Sequence, residues 1–69
     1  MNNRDKLFDL ISKYKLDRAE VAELVRVKPD TVSSWMVSHE SHHFEEMPDM
    51  AIELLELKLK DRPVPEDND

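Results

Sequence analysis

Apolar residues recur at helical spacing in four stretches of the chain, and the polar residues between them mark where each stretch begins and ends. Leu7, Phe8, Leu10, Ile11 and Tyr14 repeat at intervals of three and four, which predicts an amphipathic helix from about Arg4 to Lys15. Asp17 is followed three residues later by Glu20, the capping-box pattern, so a second helix should begin there and bury Val21, Ala22, Leu24 and Val25. Pro29 disfavours helical geometry at Lys28 and is tolerated in the first turn of a new helix. The second helix should therefore stop near Val25 or Arg26, and a third should run from about Pro29 to Val37 over Val32, Trp35 and Met36.

The segment from Ser38 to Glu46 has neither helical nor alternating periodicity and reads as a loop. Pro48 and Asp49 open a last helix that continues to about Lys60, with Pro48 in its first turn and the Asp49 carboxylate complementing the helix dipole. At about 100° per residue, Asp49, Glu53, Glu56 and Lys60 share one narrow arc of this helix. Ala51, Ile52, Leu55 and Leu59 make an apolar stripe suited to a core. Met50, Leu54 and Leu57 make a second stripe, and a domain of this size has little core left to bury it. An apolar surplus of that kind marks an interface, so Met50, Leu54 and Leu57 are expected to meet a twin subunit in a homodimer.

Composition narrows the possibilities. The chain has 69 residues, enough for one small domain, and its cysteine count of zero removes disulfides and thiolate metal sites. It also lacks glycine, which removes phosphate-cradling loops and disfavours tight hairpins. No apolar run approaches the roughly 18 residues of a membrane span, and Met1 to Asp5 is polar, so the expectation is a soluble cytoplasmic protein without membrane contact.

The net charge of −6 has the wrong sign for a protein that simply coats nucleic acid. Its distribution changes that picture. Arg4, Lys6, Lys13, Lys15, Arg18, Arg26 and Lys28 outnumber by one the acids of residues 1–38, whereas residues 39–69 carry only Lys58, Lys60 and Arg62 against a large acidic excess. The predicted domain covers residues 1–61. Residues 62–69, with Pro63, Pro65 and a run of acids, are expected to form a disordered tail.

Small and apolar residues at Val21, Ala22, Val25, Val27, Val32 and Trp35 suit two short helices crossing through a tight turn, with Ala22 small where they touch. The stretch from Arg18 to Trp35, within residues 17–37, resembles the helix-turn-helix of Cro and lambda repressor-like transcriptional regulators of phage and bacteria. The family usually has glycine in the turn where this chain has Arg26. Arginine there must adopt a left-handed conformation or bend the turn differently.

The resemblance implies an all-α domain of four or five helices that binds double-stranded DNA as a dimeric repressor, with the third helix in a major groove. By that resemblance Lys28, Asp30, Thr31, Ser33, Ser34 and Val37 are the positions that face the duplex, with base edges or phosphates in reach, and Lys13, Lys15 and Arg18 reach phosphates. Asp30 suits a cytosine amino group, and the helix has no Arg, Asn or Gln for a bidentate base contact. The competing expectation is a protein-interaction module of the same fold, an anti-repressor or host-factor inhibitor, that holds a partner protein through its acidic loop and last helix. The two differ in what surrounds the third helix: carboxylates, or Arg18, Lys13, Lys15 and Lys28.

His39, His42 and His43 with Glu40, Glu45 and Glu46 offer zinc-type ligands. A loop without cysteine or a rigid flanking element does not hold them tetrahedrally, so a solvated loop is expected and no metal or cofactor is assigned. No nucleophile, base and orienting group fall into a catalytic arrangement, and the chain is not expected to be an enzyme.

Overall fold

In a computed structural model, residues 2–38 and 40–65 are described, and the helices follow the apolar pattern closely. They are α1 (Asn3–Tyr14), α2 (Arg18–Val25), α3 (Pro29–Met36) and α4 (Asp49–Leu59), and no strand occurs among the described residues. The protein is all-α.

Side-chain caps fix the first two starts. Asn2 Oδ1 accepts the backbone N–H of Asp5 at 2.8 Å, and Asp17 Oδ1 accepts that of Glu20 at 2.8 Å. The Glu20 carboxylate, expected to reach back to its own cap, instead accepts from Arg62 Nη2 at 3.1 Å. Arg62, assigned to the tail from the sequence, is therefore tied to α2; residues 66–69 of that tail lie outside the described residues. Pro29 opens α3 as its first residue. Pro48 stands one position outside α4 as its N-cap rather than in its first turn.

Both α1 and α2 end on a residue in the left-handed region, Lys15 (φ 53°) and Arg26 (φ 61°). The Ile11 carbonyl accepts from the N–H groups of both Lys15 and Leu16, and the Ala22 carbonyl from those of both Arg26 and Val27. These bonds satisfy carbonyls that a helix end otherwise orphans. Arg26 resolves the choice posed by its sequence in favour of the left-handed conformation.

The helices close a ring, α1 packing on α3 and α4, and α2 on α3 and α4. Leu7, Val21, Val32, Ile52, Leu55 and Leu59 are fully buried inside it, with Ala22, Val25 and Trp35 beside them. Met36, Leu24, Val27, Leu10, Ile11 and Tyr14 are half-buried against this core. Leu16 and Met47 are core residues that no periodicity announces, because each stands alone outside a helix. Met47 brings the long connection back to α1, where Asn3 Nδ2 donates to its carbonyl at 2.8 Å and to Asp49 Oδ1 at 2.7 Å.

The connection is not simply solvated. The Glu45 N–H donates to the Ser34 carbonyl at 3.0 Å, and Ser41 and Phe44 are half-buried.

Candidate nucleic-acid interface

The candidate surface is built on α3, whose burial follows from one helical face. Val32 and Trp35 point into the core, which turns Asp30, Ser33, Ser34 and Val37 outward. Three residues, Arg26 to Lys28, separate α2 from α3, and Lys28 is the N-cap of α3. Short connections between packed helices hold them rigidly, so the outward face of α3 has a fixed orientation relative to α2.

Arg18, in the first turn of α2, is brought onto this face. Its Nη1 donates to Ser33 Oγ at 2.8 Å. The guanidinium fork has five donor hydrogens, and this bond fixes one edge of it beside α3. Arg18, Ser33, Met36 and Val37 line an open groove of about 400 Å³ with an apolar floor and a cationic rim. Ser34 Oγ donates to the Asp30 carbonyl at 3.1 Å, within α3 itself.

The far end of α3 is held by a residue the sequence did not single out. Arg4 Nε donates to the Val37 carbonyl at 3.2 Å and Arg4 Nη2 to that of Met36 at 3.2 Å, while its guanidinium lies 4.8 Å from the centre of the Phe8 ring. A cation on the last carbonyls of a helix is favoured by the dipole. No spacing rule finds a partner 32 residues away.

The sequence-derived residues are thus partly assembled. Arg18, Lys28, Asp30, Thr31, Ser33 and Ser34 share the α3 region, with Arg18, Lys28 and Asp30 exposed and the three hydroxyl residues half-buried. Lys13 and Lys15 are exposed at the end of α1 opposite Arg4, roughly 14–16 Å along the helix axis. The Lys13 ammonium lies 5.6 Å from the centre of the Tyr14 ring. The α3 surface carries both charges: the cations Arg18 and Lys28, the carboxylate of Asp30, and Glu45 attached through its backbone to Ser34.

On α4 the two expected stripes differ in burial. Ile52, Leu55 and Leu59 are in the core, whereas Met50 is 80% and Leu57 65% exposed. Leu54, grouped with them from the sequence, is half-buried and packed against the core. It lies about 40° round the helix from Met50, toward Ala51 and Leu55. The exposed stripe therefore consists of Met50 and Leu57.

No group of three metal-ligating side chains that could hold an ion occurs among the described residues; His39 lies outside them. No helix among them is long and apolar enough to cross a membrane. No protein-family model, curated protein or solved structure matches the chain.

Proposed function

We propose that the chain is a sequence-specific double-stranded DNA-binding regulator, a repressor of the Cro and lambda repressor-like kind. In this reading α2 and α3 form its helix-turn-helix and α3 lies in the major groove. The observation that carries this reading is the bond from Arg18 Nη1 to Ser33 Oγ. It stations a cation on the flank of the outward face of α3, where a phosphate borders a helix seated in the groove. Lys28 adds a second cation at the N-terminal end.

Most of the chain's acidic excess belongs to the long connection, α4 and the segment after it, and of these acids Glu45 is tied to α3, through its backbone at Ser34. Two copies joined through Met50 and Leu57 present two α3 helices to one duplex, which demands a near-palindromic site with half-sites roughly 34 Å apart.

The test is selection from random duplex DNA at low and at moderate salt. Phosphate-driven binding weakens steeply with salt, while base readout sets the preference. Enrichment of one motif at both salts is expected. Retention of all sequences alike, or of none, contradicts the reading. The second outcome favours the protein-interaction alternative, for which the specific observation is the Asp30 carboxylate at the centre of the exposed surface.

A further inference from the structure

Within Pro29–Met36, α3 lacks the side chains that read purines, and Lys28, which can contact guanine, stands outside the helix as its N-cap. Arg, Asn and Gln, the residues that make bidentate contacts to guanine and adenine, are absent from Pro29–Met36. The polar groups that remain are unequal. Ser33 Oγ accepts from Arg18, and the Ser34 hydroxyl proton is directed to the Asp30 carbonyl, so both hydroxyls have partners within the protein. Asp30 is exposed, and its carboxylate forms no hydrogen bond or ion pair with another described residue. Val37 lies seven residues on, two helical turns away and on the same face, at the edge of the groove that Arg18 rims.

We infer that α3 reads pyrimidine edges: Asp30 accepts from the amino group of a cytosine, and Val37 packs on the methyl group of a thymine. The inference rests on the DNA-binding reading above and specifies its half-site. A carboxylate accepts only, so the N7 and O6 acceptors of guanine and the O4 of thymine repel it; the amino groups of cytosine and adenine donate to it, but adenine sets its N7 acceptor beside the amino group, which leaves cytosine favoured. The thymine methyl is the one apolar group in the major groove, and Val37 and Met36 provide the apolar surface to meet it. Seven residues of helix advance about 10.5 Å, which spans about three base steps of 3.4 Å. The half-site therefore contains a cytosine and a thymine about three steps apart, and Arg18, oriented by Ser33, fixes the register through the phosphate backbone.

The experiment repeats the duplex selection with the full chain and two variants, Asp30→Asn and Val37→Ser, after thermal melting has shown that each is folded. Wild-type protein is expected to enrich sites with cytosine and thymine at that separation. Asp30→Asn exchanges an acceptor for a group that pairs with adenine, so the preference at the cytosine position should invert to adenine by on the order of tenfold. Val37→Ser should leave the cytosine and flatten the thymine position. An unchanged base preference in either variant overturns the role given to that residue while leaving DNA binding in place. A wild-type protein that enriches no motif removes both this inference and the function on which it rests.

Discussion

Arg26 illustrates how a single backbone angle carries a fold. At φ 61° a side chain with a Cβ is strained by roughly 1–2 kcal/mol, which glycine avoids at the cost of greater freedom in the unfolded chain. Arg26→Gly should therefore stabilise the protein by about 0.5–1 kcal/mol, raising the melting temperature by a few degrees. A lower melting temperature in a calorimetric scan would show that the arginine side chain contributes more than its backbone costs. Trp35 is 3% exposed, and Trp35→Ala should cost about 3–5 kcal/mol, enough to unfold much of a domain this small. An unchanged melt contradicts that placement.

In the proposed reading, Ser33 and Asp30 separate positioning from readout. Ser33→Ala releases the Arg18 guanidinium, so affinity for selected and random duplexes should fall by the same factor. Asp30→Ala should weaken the selected site more than random DNA. The opposite ranking in a fluorescence titration would reverse these roles. The burial of Trp35 was legible in the sequence because it follows from a local spacing rule, whereas at Arg26 the sequence left a left-handed residue and a differently bent turn both open. The Arg4 bonds and the Arg18–Ser33 pair were not legible, since they join residues whose proximity exists only after the helices pack.

At the scale of elements, helix order and position followed from periodicity, with boundaries displaced by about one residue because periodicity does not separate a cap from the helix it closes. The last helix shows where periodicity loses resolution. Its core stripe was legible, but Leu54 lies between the two arcs, and only packing assigns it to the core. The consequence for assembly is direct. Leu57→Glu changes an exposed position and should leave a folded monomer while abolishing self-association by placing like charges in the interface. Leu54→Glu should instead destabilise the fold, because a carboxylate enters a half-buried apolar site. Sedimentation at tens of micromolar distinguishes the cases. A wild-type monomer at that concentration eliminates the dimer, and a Leu57→Glu variant that still dimerises moves the interface elsewhere.

For the whole molecule, the separation of charge along the chain matters more than its total. Two cations per protomer, Arg18 and Lys28, border α3, so binding should vary with salt at a log–log slope of about −2 per protomer, or −4 for the pair. A slope near zero would mean that phosphates are not contacted, and a steeper one would bring Lys13 and Lys15 to the duplex. The measurement that tests the central claim most directly is a titration of isotope-labelled protein with duplex DNA at low salt, followed residue by residue by NMR. The largest changes are predicted at residues 28–37 and at the Arg18 guanidinium. Changes confined to α4, or none at all, contradict a DNA-reading role for α3.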